Sequence, residues 1–222
     1  MIRLYGLAIS NYYNMVKLAL FEKGFEFQEV PTPPGQDADY LAKSPMGKMP
    51  CLEVREGFLS ETDAILEFLE EVNPEIPLFP ETAFERARVR QIMYMAEKYV
   101  DDPVRPVIRS FWDNSSLDEH QLADIRDGLA RGIAALGRVA RFDPWIAGEE
   151  FTAADIVAYY ALQLAASVAD TRFEWDIYDE LPGLRGWRDA VADRYFVQRV
   201  DEEQARALES FMKNHTDHGR SS

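Results

Sequence analysis

The residues equipped for chemistry stand at three breaks in the pattern of the first third of the chain. Ser10, in "AISNYYNMVKLAL", lies where a strand-like run ends and helical spacing begins, with Tyr12 and Tyr13 just behind it. In "SETDAIL", Ser60 or Glu61 caps a second helical pattern that starts near Thr62. The first backbone N–H groups of a helix have no partners inside it, and together with the helix dipole they form a site for an anion. The third break is "KSPMGKMPCLEV", Lys43 to Val54. Pro50 has no N–H for a β-ladder, so it belongs at a strand's first residue or on an edge. Lys48 brings a cation beside it, and the backbone groups of Met49 are left with a task to be found.

Other chemistry is excluded by composition. Cys51 is the only cysteine, which rules out an intrachain disulfide, a Cys-x-x-Cys redox pair and a cysteine metal cluster. Just inside a strand, it reads as a small buried side chain rather than a nucleophile. His120, His215 and His218 lack metal-ligand spacing. "TAAD", Thr152 to Asp155, is a capping-box pattern with Asp in place of the usual Glu or Gln. A cap contributes about 1 kcal/mol and accounts for those residues without catalysis.

The elements that hold these groups follow from periodicity. Ile2 to Leu7 reads as a strand. Helical spacing runs from Asn11 through Met15, Val16, Leu18, Ala19 and Leu20 to a stop at Gly24. "FEFQEV" alternates like a half-buried strand, which completes a parallel βαβ unit. After a loop with one irregular helical turn near Tyr40-Leu41 come "CLEV", the turn Arg55-Glu56, and "FLS", an antiparallel hairpin. A helix then carries Ile65, Leu66, Phe68 and Leu69 on its apolar positions. Past the proline-rich "NPEIPLFPET" the pattern is helical throughout. One long helix spans 82–111, bent near Asp102-Pro103 and Pro106; others span 117–142, 151–169 and 202–212, with one or two short ones in "LPGLRGWRDAVADRYFVQRV". The tail "HTDHGRSS" reads as frayed. The expected organisation is an α/β domain of order βαβ-ββα over residues 1–75, a linker over 76–84 and an all-helical domain over 85–222.

With 222 residues the chain can bury a sizeable core. Asp and Glu outnumber Lys and Arg by 39 to 24, a net charge of −15 that argues against nucleic acid as the main partner. No apolar run approaches the roughly 18 residues that span a bilayer. "MIRLYGLAIS" has too little apolar length for a signal peptide. A cytoplasmic location is the simplest expectation for so little cysteine.

Taken in order, "SPMGKMPCLEV...FLSETDAILEFLEE", "GEEFTAADIVAYYAL" and "LPGLRGWRDAVADRYFVQRV" resemble the motifs of cytosolic glutathione transferases, of a serine-type or related bacterial class. The resemblance covers nearly the whole chain. It implies a thioredoxin-like N-terminal domain with a helical C-terminal domain that contributes the acceptor site. It also implies a cis bond before Pro50, with Met49 offering its backbone N–H and C=O, at a sheet edge, to the cysteinyl part of glutathione. Glu61 would take the ammonium of the γ-glutamyl end and Thr62 its carboxylate, where the family usually has Ser. Lys48 would neutralise the glycyl carboxylate, with Lys43 or Gln36 assisting. Tyr94, Tyr99, Arg105, Phe111 and Trp112 have the character of an acceptor site, yet most read as core.

Matched to serine-type members, Ser10 is the hydroxyl that holds the glutathione thiolate; Tyr12 and Tyr13 are the alternatives. One charge-assisted hydrogen bond is worth about 1.5–3 kcal/mol. A helix start adds about 0.3–1 kcal/mol. At about 1.4 kcal/mol per pKa unit, the two lower a thiol by roughly one to three units, enough to ionise it near neutrality. The expected reaction is conjugation of glutathione to a small hydrophobic electrophile by a homodimer that needs no metal. The alternatives are glutathione-dependent isomerisation, peroxide reduction or disulfide reduction, or a non-catalytic regulator of the stringent-starvation type.

Overall fold

The computed structural model describes the backbone of residues 1–218 and the side chains of residues 1–213. By its internal contacts the chain forms two compact units: Met1–Pro77 together with the stretch from Asp193 onward, and Leu78–Ala192.

The first unit is built on a four-stranded sheet of order β2-β1-β3-β4, made from β1 (Ile2–Gly6), β2 (Phe27–Pro31), β3 (Cys51–Val54) and β4 (Gly57–Ser60). β1 and β2 are parallel, as a βαβ crossover through α1 (Asn11–Glu22) requires, and β3 runs antiparallel to both β1 and β4. Leu4 and Leu52 pair across the ladder and are fully buried. On the neighbouring positions, Arg3 and Tyr5 reach Glu53 and remain partly solvated. α2 (Ala38–Leu41) is the single turn expected near Tyr40, and α3 (Thr62–Val72) buries Ile65, Leu66 and Leu69.

α1 is buried on nearly every side, because the sheet, α3 and a C-terminal helix all pack against it. That burial takes in two lysines, and each is compensated. Lys23 reaches Glu70 and the Ile76 carbonyl, both at 2.7 Å. Lys17 lies between Glu29 and Glu203. Removing one partner of a buried pair costs about 3–5 kcal/mol, since a charge is then stranded.

In the second unit the expected long helix is α4 (Ala83–Ala96), a π turn over Glu97–Asp101 and α5 (Asp102–Trp112). The irregularity falls where proline demands it. Pro103, four residues after Tyr99, has no N–H for the Tyr99 carbonyl. Against that carbonyl lies Gly132, where a Cβ would come within 1.7 Å of the oxygen. Gly132 belongs to α6 (Glu119–Gly137), and α7 (Ala153–Phe173) is the most deeply buried helix of this unit. α8 (Leu184–Ala192) closes it. Leu78 and Phe79, within the stretch expected to be a linker, are buried, and the Leu78 carbonyl accepts from Ala153 N.

α9 (Tyr195–His218) differs from expectation in length and in allegiance. The sequence reading places a helix at 202–212, within the helical half. Its buried stripe, Val197, Val200 and Gln204, instead turns inward in the first unit, and its partners are on α1. The expected frayed tail is helical as far as His218, and its last four residues lie outside the described ones.

Candidate active site

Strand register collects the candidate residues at one end of the sheet. Tyr5 pairs with Cys51, and Cys51 pairs with Ser60. The chain therefore leaves β1 toward Ser10, enters β3 through Met49-Pro50 and leaves β4 toward Glu61 all at the same end. Two helices, α1 and α3, start there. Because β3 has a neighbour on each side, Pro50 sits at a strand's start and not on a lateral edge, which corrects the sheet-edge placement of Met49. The end of the sheet is what the Met49 backbone adjoins.

The Met49–Pro50 bond is cis. Its surroundings explain the glycine at the end of β1. A Cβ on Gly6 would lie 2.4 Å from the Tyr13 ring and 3.3 Å from the Met49 Cβ. Only a residue without a side chain lets these two groups close on the strand end.

Ser10 occupies the N-cap of α1 with extended backbone, and its Oγ accepts from Tyr13 N at 3.4 Å. That contact uses a lone pair; a hydroxyl still has its proton to donate. The loop ahead of it is held by Ser10 N donating to the Leu7 carbonyl at 3.0 Å and by Asn14 Nδ2 donating to the Ala8 carbonyl at 2.9 Å. Asn14 is fully buried, and the sequence reading missed it; an amide in the first turn of a helix was its only signal.

The two tyrosines differ. Tyr13 is buried, donates its hydroxyl to Glu29 at 2.6 Å, and has its pKa pushed far up by burial and by that carboxylate. Tyr12 is half-buried. Tyr5, in β1, is partly exposed with its hydroxyl on Glu53 at 2.6 Å.

Glu61 is the unusual residue. It precedes α3 with φ 68° and ψ 117°, it is exposed, and its side chain makes no capping hydrogen bond. Of the two expected caps, Ser60 and Glu61, it is Glu61 that occupies the N-cap position, without a side-chain capping bond. A non-glycine residue so far from the allowed regions costs about 1–3 kcal/mol. Thr62 follows as the first helical residue and is 6% exposed.

Lys48 is exposed, but its carbonyl is tied down by Ser44 Oγ at 2.7 Å and Tyr40 OH at 3.1 Å. Gly47 adopts φ 67°, and a Cβ there would meet the Gly35 carbonyl at 2.2 Å. The helpers suggested for Lys48 are occupied locally. Lys43 Nζ donates to the Asp39 carbonyl and Gln36 Nε2 to the Met46 carbonyl. Cys51 is wholly buried, its thiol pushed up to about 11 by burial, and it donates to the Lys43 carbonyl; it stays a thiol at neutral pH.

In the other unit, Tyr94, Tyr99, Phe111 and Trp112 are about half exposed, which corrects their reading as core. Arg105 is bound through two hydrogen bonds to the buried Asp101. Among the described residues no group of three or more His, Cys, Asp or Glu is placed to hold a metal ion. Among the described residues, too, no helix is long and apolar enough to cross a membrane.

Residues 4–77 match the family model of the glutathione S-transferase N-terminal domain and residues 119–190 that of the C-terminal domain. A glutathione S-transferase of Pseudomonas putida is 35% identical over 213 residues, covering 96% of this chain and 97% of the relative. The chain belongs to the glutathione S-transferase family. Its thioredoxin-like half and its helical half are those of the family fold. A maleylacetoacetate isomerase of Pseudomonas aeruginosa is 29% identical, over 68% of this chain and 74% of the relative. Among solved structures, a glutathione S-transferase of Methylobacterium radiotolerans in complex with glutathione sulfonate has a TM-score of 0.74 and 26% identity. It covers 90% of this chain and 93% of its own.

Proposed function

We propose that this member of the family binds glutathione at the end of the sheet where α1 and α3 begin, and that Ser10 holds the thiolate for attack on a small electrophile. The reading is carried by the register that brings Ser10, Met49 and the Glu61–Thr62 helix start to that one end. Glu61, exposed and not engaged in capping, takes the ammonium of the γ-glutamyl end. The Thr62 hydroxyl and the first N–H groups of α3 take its carboxylate, where a helix start favours negative charge. Met49 pairs its main chain with the cysteinyl part, and Lys48 faces the glycyl carboxylate.

The Ser10 O–H donates a hydrogen bond to the sulfur. When the thiol ionises, its proton passes to water, and the Ser10 O–H and the start of α1 stabilise the anion left behind. The thiolate then forms a bond to the electrophilic carbon as the leaving group departs with the bonding pair. Tyr13 is the weaker candidate for this work, because its hydroxyl already serves Glu29. The assembly is a homodimer in the cytoplasm, and the chemistry calls for no metal.

Conjugation of glutathione to a chlorinated nitroaromatic, followed with thiolate absorbance, tests the assignment. Ser10→Ala is expected to lose both together; a variant that keeps wild-type rate and absorbance removes Ser10 from the mechanism. A second reading, isomerisation with glutathione as the carrier, is favoured by the similarity to the maleylacetoacetate isomerase. It keeps the same site and changes only the acceptor. A chain that flows through immobilised glutathione would belong with the non-catalytic regulators instead.

A further inference from the structure

We propose that α9 is a positioning element for the thiolate site: Gln204 and Glu203 hold the first two turns of α1, and with them Ser10, in register. The inference rests on Ser10 being the thiolate's partner.

The contacts run antiparallel along the two helices. Gln204 Nε2 donates to Asn11 Oδ1 at 3.3 Å, and both residues are buried. Asn11 is the residue next to Ser10. Two turns further along, Lys17, 1% exposed, places its ammonium between Glu29, at 2.6 Å, and Glu203 of α9. Glu29 also accepts from Tyr13 OH, and Arg199 joins Glu203 from within α9. At the far end of α1 an aromatic stack stands beside an ion pair. The Phe21 and Phe196 rings stack with centroids 5.4 Å apart, and Arg194 reaches Glu22 at 2.6 Å.

Both ends carry an ion pair, and they differ in what accompanies it: an aromatic stack at the far end, a fully buried lysine and an amide pair at the near one. Aromatic stacking resists separation of the helices and tolerates sliding. A buried lysine shared by carboxylates from β2 and α9 resists sliding, because any shift strands a charge. The buried amide pair fixes the turn that carries the N-cap. A misplacement of about 1 Å at a reacting centre costs about a hundredfold in rate. Anchors at Asn11 and Lys17 are where such a shift would be prevented.

The experiment compares Gln204→Leu and Glu203→Gln with Phe196→Leu in the full chain. It reads the pH titration of thiolate absorbance for bound glutathione, kcat and KM for glutathione, and Tm. Gln204→Leu is close in size and removes the amide without leaving a charge, so it serves if Glu203→Gln does not fold. The expected result for both α9 polar variants is a thiolate titration moved to higher pH and kcat lowered about tenfold, with KM for glutathione changed less than about twofold. Phe196→Leu is expected to lower Tm and leave the titration where it is. A wild-type titration in Gln204→Leu, or an equal shift in Phe196→Leu, overturns the proposal while the Ser10 reading stands. A wild-type protein that shows no ionised glutathione at neutral pH overturns both.

Discussion

Two helix starts, those of α7 and α3, are built in opposite ways. At α7 everything is closed. Asp155 accepts from Thr152 N, Ile146 N and Trp187 Nε1, each at 2.8 Å, and Thr152 Oγ1 accepts from Ala154 N at 3.3 Å. Asp155 and Thr152 are buried. At α3 the residue in the capping position is an exposed glutamate in a strained conformation that makes no cap. A helix start whose N–H groups are matched by its own chain serves folding. One whose N-cap side chain makes no such bond, at a cost in backbone strain, is where the proposed glutathione site lies. α1 lies between the two, with a long 3.4 Å cap from Ser10.

The largest effect that would break this comparison is at α7. Asp155→Ala strands three buried N–H donors, each worth about 1–3 kcal/mol, and is expected to remove about 3–5 kcal/mol of stability in urea unfolding. Activity per folded molecule should stay unchanged. A loss below 1 kcal/mol would mean that the closed cap is not structural.

Ser10→Ala should do the reverse. The rate of conjugation is expected to fall about ten- to a hundredfold, matching one lost charge-assisted hydrogen bond, while stability drops by no more than about 1 kcal/mol. Steady-state kinetics beside thermal unfolding would show whether rate and stability part in this way.

Glu61 offers a sharper contrast, because two substitutions divide its roles. Glu61→Gly relieves the strain at φ 68° and is expected to raise stability by about 1 kcal/mol while weakening glutathione binding. Glu61→Ala keeps the strain and loses the carboxylate, so it should weaken binding with no gain in stability. Calorimetry with glutathione and unfolding curves for the pair would distinguish the contributions; equal stabilities would refute stored strain.

The smallest expected effect is on acid stability. Burial acts to raise the Glu203 pKa, but hydrogen bonding and charge from Lys17, aided by Arg199, outweigh it and the net shift is downward. A depressed carboxylate adds stability that is present above its unfolded value and is lost as pH falls through the folded one. Glu203→Gln should therefore flatten the decline in Tm below about pH 4.5 relative to wild type.

Much of the candidate site was legible because its signals are local. The cap pattern of "TAAD", the proline ahead of "CLEV" and the break at Ser10 each depend on residues a few positions apart, and the structure has an element boundary at each. The tyrosines were not separable by such signals. Tyr12 and Tyr13 are neighbours in sequence, and only the approach of Glu29 from β2 commits one hydroxyl to a carboxylate. The exposed aromatics of α4 and α5 were misread as core for a similar reason, since composition does not say which face of a helix finds a neighbour.

By itself the sequence determined the order of strands and helices, the placement of prolines and glycines where backbone donors or Cβ atoms cannot go, and the absence of cysteine chemistry beyond Cys51. These follow from steric rules and short-range periodicity, which act within a few residues. Tertiary structure alone decided that β3 lies inside the sheet, that Glu61 is held at positive φ, and that α9 returns to lie along α1 and neutralise Lys17. Lys17 and Glu203 are far apart in the chain, and a charge so distant becomes a partner only when burial removes the water between them.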